Sequence, residues 1–238
     1  MSYPPTPTAR ATAAAPHVQS RRRILHAETI LLAIAGLVAA VSAYSPWWYL
    51  SNTSGSSSVV EYYPGSEFYA GGGGGGGTVP YSAYGLSGVG ELYEAVLVGM
   101  LLVTLVAWVL GGYAFALSRG RATGGEARHL ATAARFGTVG LALALAVGVP
   151  LLQPYLYSAA NPGGSCSAAP AQGPCSGFWG SLSSASGASV WGAGAGWWLA
   201  VAVAGLLLVA FALAVAAGSS EGGALRARSD AGTGVALP

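Results

Sequence analysis

Few side chains in this sequence could do covalent or acid–base chemistry, and their spacing narrows the options. Cys166 and Cys175 are its two cysteines, separated by Ser-Ala-Ala-Pro-Ala-Gln-Gly-Pro. A pair so close, with no other thiol, suits a disulfide in an exported loop better than a metal shell, which needs four donors. The three histidines, His17, His26 and His129, fall in segments of the opposite charge character. Glu61 and Glu67 share the first outer loop and could in principle act as a carboxylate pair in acid–base work. Lysine is absent and Asp230 is the single aspartate, which excludes the standard P-loop and any Schiff base. The seven glycines at 71–77 precede no helix start with Lys, Ser or Thr, so they are no phosphate cradle and read as a flexible tether. Asn52-Thr53-Ser54 has the form of a glycosylation acceptor. No catalytic residue, cofactor or metal is expected.

The elements that position these residues are apolar spans. Charged residues make up 8% of the 238 and hydrophobic ones 53%, whereas a water-facing surface takes about 25% charged residues. Membrane helices are expected at 24–45, 95–117, 136–157 and 191–217, each near the ~20 residues that cross a bilayer. All ten basic residues are arginines on one side of these runs. Arg10, Arg21, Arg22 and Arg23 precede the first run, Arg119, Arg121, Arg128 and Arg135 fill the link from second to third, and Arg226 and Arg228 follow the fourth. Arginine next to spans stays in the cytoplasm, so both termini are expected inside. The fold class expected is therefore an all-α membrane protein, a four-transmembrane-helix bundle with cytoplasmic N- and C-termini in the cell membrane. Its two outer loops have room for one short β-hairpin.

Segments 1–23 and 218–238 read as cytoplasmic tails, the first disordered, and 118–135 as the inner loop. Ser20 to Leu25 resembles a twin-arginine export signal with a cleavage-like Val41-Ser42-Ala43, but the length of the run favours a retained first span. Outer loop 46–94 is rich in Ser, Tyr and Gly, and outer loop 158–190 holds the cysteines. Pro46 ends the first helix, and Trp47, Trp48, Trp197 and Trp198 are expected in the headgroup layer. Tyr62, Tyr63, Tyr69, Tyr81, Tyr84 and Trp179 lie further from the spans, and this uncharged aromatic set is the expected interaction surface. Gly140, Ala144 and Gly148 in the third span, and Gly196, Ala200 and Ala204 in the fourth, repeat at helical spacing and are expected to pack helices. Pro150 and Pro154 should kink the third span, with Gln153 turning to the freed carbonyls. Glu28 is expected in a solvated, interfacial place rather than in a buried ion pair.

Four spans with inside termini and the Pro46-Trp47 step after the first span resemble claudin-type tetraspan proteins. The resemblance covers that topology and dipeptide. In that family Gly-Leu-Trp and a cysteine pair belong to the first loop, whereas here both cysteines are in the second. The function expected is that of a non-catalytic integral membrane protein, an interaction or assembly subunit using its aromatic outer loops. The alternative is a small transport or channel component made of oligomerised bundles. Expected partners are the lipid bilayer and another membrane protein or a second copy, with no nucleic acid.

Overall fold

The computed structural model describes residues 16–53, 57–121, 124–162, 166, 173–185 and 187–232, with side chains within helices described from 19 to 218. Most of tail 1–23 and residues 233–238 lie outside this set. Four helices carry the bundle: α1 (Pro16–Ala43), α2 (Ser87–Ser118), α3 (Gly125–Ala160) and α4 (Ala195–Gly232). All four contain stretches long and apolar enough to cross a membrane, the composition of a multi-pass membrane protein. Both α1 and α4 extend beyond the expected spans, α1 starting in the first tail and α4 running on to Gly232.

Helical period decides which side of each helix is inside. In α1, Leu25, Glu28, Leu32, Ala35, Ala39 and Ser42 are buried, three or four residues apart. In α2 the row is Tyr93, Val96, Met100, Val103, Ala107 and Leu110. The opposite faces are apolar as well, with Leu37, Leu105 and Leu151 exposed, as lipid-facing surfaces require. Helix α1 packs most extensively, against α2 and α4, and α3 packs against the same two. Helices α1 and α3 therefore face each other across the bundle.

The outer region is a sheet, which corrects the all-α expectation. Strands β1 (Trp48–Asn52), β2 (Ser58–Tyr62), β3 (Glu67–Gly72) and β4 (Gly75–Pro80) come from the first loop, and β5 (Gly180–Ser184) and β6 (Gly187–Ala193) from the second. They form one six-stranded antiparallel sheet in the order β4-β3-β2-β1-β6-β5. The two loops join at β1–β6, where Trp48 faces Ala193 and Asn52 faces Ser189. A one-hairpin reading fails because four of the five pairings are hairpins of consecutive strands, and the fifth, β1–β6, joins segments far apart in sequence, which local pattern does not reveal.

The seven glycines are a second correction. They form the ends of β3 and β4 and the turn between them, with Gly72 opposite Gly75 and Gly75 at φ 151°. Tyr69 explains why glycine suffices there. Its ring lies over Gly71 and Gly76, so a Cβ on Gly71 would come within 2.8 Å of it, and one on Gly76 would collide with its hydroxyl. The aromatic ring covers backbone that the glycines leave bare, a recognised means of stabilising strand glycines.

Candidate functional site

Strand alternation sorts the loop aromatics into two populations. Across the sheet, Ala193, Trp48, Tyr62, Phe68 and Val79 form one row of cross-strand neighbours. This row faces the helices, where Trp48, Tyr62 and Phe68 are all buried. Tyr62 stacks on Phe68 at 5.5 Å and meets Trp48 edge-on at 4.9 Å. Tyr81, in the 3₁₀ turn Tyr81–Tyr84, stacks at 5.9 Å on Tyr93 of α2. Tyr157 of α3 approaches Trp48 at 5.9 Å. Such pairs add about 0.5–1.5 kcal/mol each beyond their buried area. Tyr62 and Tyr81, expected on the interaction surface, thus belong to the core that glues sheet to bundle. Burial pushes both phenols well above the usual tyrosine range.

The indoles are placed by the same logic, and this corrects the headgroup-layer expectation for three of four. Trp47 and Trp48 are wholly buried and Trp197 nearly so, while Trp198 is exposed. Each buried indole N–H finds a backbone carbonyl: Trp47 on Ser42 at 2.9 Å, Trp48 on Phe178, Trp191 on Gly177 at 3.1 Å and Trp197 on Ala146 at 2.8 Å. The last bond answers the proline question. Pro150 has no N–H for the carbonyl four residues before it, and Trp197 of α4 supplies the missing donor. Gln153 does not take that role. It is fully buried, and neither its Nε2 nor its Oε1 has a hydrogen-bond partner.

The outward face carries Tyr49, Glu61, Tyr69 and Thr78 as the matching row, with Tyr49 opposite Glu61 and Tyr69 opposite Thr78. Tyr63 and Tyr69 are half-buried, and Tyr84 and Trp179 are exposed by 64% and 59%. Sequence reasoning missed Tyr49, Val59 and Val190. The alternation of Trp48-Tyr49-Leu50 was the signal that could have placed Tyr49. Glu61 accepts a 2.8 Å bond from the Tyr63 hydroxyl, and burial, followed by this bond, raises the Tyr63 phenol. Glu67 is exposed on the same face as Glu61. Asn52 sits in β1 with its Oδ1 accepting from Ser189. Strand β4 ends the sheet on one side with Gly75, Gly76 and Gly77, and no residue of that edge strand is charged.

Cys166 and Cys175 are joined, with Cα atoms 5.4 Å apart. The bridge fits an extracellular or lumenal loop. It pins the turn Gly173–Cys175 just before Phe178, the residue that receives Trp48. Among the described residues no group of three His, Cys, Asp or Glu is placed to hold a metal.

The two small-residue rows have different surroundings. Gly196, Ala200 and Ala204 are buried. Gly196 accepts a bond from Ser42 and donates to Pro46, leaving no space for a side chain beside Ser45 and Trp47. Gly140 and Ala144 are exposed, Gly148 is half-buried, and a Cβ on either glycine would meet nothing within 4 Å. This second row faces away from the bundle.

At the other end, Glu28 departs from its expected solvated place. It is fully buried, and its Oε1 accepts from Arg135 Nη2 at 2.6 Å and Nε at 3.0 Å. The pair spans the bundle from α1 to α3, which is why short-range sequence patterns miss it.

No protein-family model matches the chain, and neither any curated protein nor any solved structure is detectably similar to it.

Proposed function

We propose that this chain is a non-catalytic tetraspan subunit, with cytoplasmic termini and an outer sheet that docks another membrane protein or a second copy. One observation carries the reading: both outer loops are spent on a single, nearly uncharged sheet whose β4 edge is unprotected glycine backbone. Unpaired N–H and C=O groups on an edge strand are a ready template for a further strand, and charges or prolines that would block it are absent within 75–79. Exposed Tyr84 and Trp179 supply aromatic anchors of the kind that dominate binding energy at interfaces. The arginine distribution supports the orientation, and the disulfide supports an oxidising compartment for the sheet.

The transport reading gains less support. Thr104 and Thr138, hydroxyls within the second and third spans, donate to Met100 and Ala134 of their own helices. A photoreactive side chain at Thr78 should crosslink one reproducible membrane protein or a second copy in native membranes, while the same group at Leu130 should not. Equal capture from both positions, or turnover by the purified protein that Glu61→Gln or Glu67→Gln abolishes, would overturn the reading.

A further inference from the structure

Buried polar side chains in the half of the bundle below the sheet are paired with backbone. Ser42 donates to Gly196, Trp47 to Ser42, Trp197 to Ala146, and the Tyr81 hydroxyl to Tyr63. Among the described residues, two side chains here depart from this pattern. Gln153 of α3 and Tyr93 of α2 are fully buried, and neither the Gln153 amide nor the Tyr93 hydroxyl has a hydrogen-bond partner. Burying such groups in an apolar interior is costly unless something bonds to them. The two also lie at nearly one depth. Helices α2 and α3 run antiparallel: a Cβ on Gly88 would lie 3.6 Å from Leu156, and one on Gly99 would lie 2.9 Å from Leu145. Tyr93 is five residues inward of Gly88 and Gln153 three inward of Leu156. At 1.5 Å per residue, their levels differ by about 3 Å.

The prolines of α3 open its backbone at the same level. Pro154 has no N–H for the Pro150 carbonyl, and its ring crowds that carbonyl aside. The Ala146 carbonyl, which Pro150 leaves in the same way, is taken by Trp197, so the next one along is the site in question. Side chains on a helix lean toward its N-terminus, which carries Gln153 over the turn holding the Pro150 carbonyl. Amide donors, an amide oxygen, a freed carbonyl and a hydroxyl therefore share one layer. A charged ligand finds no counter-charge there, because Glu91 and Glu94 beside Tyr93 are exposed and 136–160 hold no charged residue. What satisfies these groups is a small neutral molecule that donates and accepts at once, and a helix kink is a place where water enters the ladder. We infer that the bundle binds water at this level, seated in the α3 kink between the Gln153 amide and the Pro150 carbonyl and extending to the Tyr93 hydroxyl. Tyr157, one turn beyond Gln153, meets Trp48 at 5.9 Å. The water thus sets how the outer end of α3 supports β1. This inference does not depend on what the outer sheet docks.

The test is X-ray hydroxyl-radical labelling of the full chain in nanodiscs, in which radicals made from bound water mark the buried residues beside it. Pro150 and Tyr93 should take up label, whereas Val103, as fully buried on α2 as Tyr93, should not. Gln153→Met keeps the length of the side chain and removes its polar atoms. It should cut the Pro150 label severalfold and lower the unfolding midpoint by about 2–4 °C, because the water and the Pro150 carbonyl lose a partner. Absence of label at Pro150 and Tyr93 in the unaltered chain would overturn the site, and this measurement needs no variant to fold. A Gln153→Met chain more stable than the unaltered one would overturn it too, since an apolar replacement relieves an amide buried dry. Full labelling of Pro150 in Gln153→Met would show water arriving without the amide and sink the assignment.

Discussion

Removing one half of the Glu28–Arg135 pair leaves the other charge in the bundle without its partner. Breaking such a pair costs about 3–5 kcal/mol, whereas replacing both members with apolar residues is often neutral. Glu28→Ala should therefore lower the unfolding midpoint of the purified protein sharply, and Glu28→Leu with Arg135→Leu should recover most of the loss. A double variant as unstable as the single one would show that the pair itself supplies the stability. Tyr62 and Tyr81 give a pH dependence. Their folded phenols are raised by burial, while the unfolded chain titrates near pH 10. Above pH 10 the unfolded state loses protons that the folded state keeps, so stability is full below that pH and falls as pH climbs beyond it. Ultraviolet titration should show two fewer tyrosines ionising in the Tyr62→Phe, Tyr81→Phe chain only after unfolding. The same count missing from the folded titration would contradict their burial.

Among the elements, the glycine hairpin separates close neighbours. Gly76 lies under the Tyr69 ring, whereas a Cβ on Gly77 meets nothing within 4 Å. Gly76→Val should destabilise the sheet by about 1–3 kcal/mol through overpacking. Gly77→Val should be neutral or stabilising, because a β-branched residue suits a strand and restricts the unfolded chain. Proteolysis of the outer region in intact vesicles would rank the two, and equal sensitivity would remove Tyr69 as the cause. The disulfide acts on a different scale. Closing so short a loop contributes about 2–3 kcal/mol by chain entropy, and the bridge lies outside the helix interfaces. Cys166→Ser with Cys175→Ser should loosen the segment before Phe178, raising hydrogen exchange there, while membrane insertion is unchanged. Loss of insertion would give the bridge a larger part than the structure assigns.

For the whole molecule, the joint between the two loops is the decisive feature. Asn52 and Ser189 face each other across β1 and β6. Asn52→Cys with Ser189→Cys should form a disulfide on oxidation, holding the two halves together after cleavage of the link near 121–124. Halves that separate without reductant would refute the joined sheet. Much of the architecture was legible beforehand. Apolar length and helical period are local properties, so the spans could be located from runs such as that around Leu101 to Leu110, and the arginine asymmetry and the Cys166–Cys175 pair needed no partner elsewhere. The candidate surface was legible only in part. Tyr84 and Trp179 are exposed, but Tyr62 turns inward because the register of β2 against β1 and β3 sets its side, and shifting a strand by one residue reverses it, while Tyr81, in the turn after β4, is held inward by Tyr93 and the Tyr63 carbonyl. What tertiary structure alone decided rests on contacts between distant segments: Trp48 is buried where the Phe178 carbonyl receives its N–H, Trp47 is buried against Gly194 and Gly196, and Glu28 is drawn inside by Arg135. Each is an energy that exists only when two remote parts of the chain meet, and local sequence pattern holds no record of which parts those are.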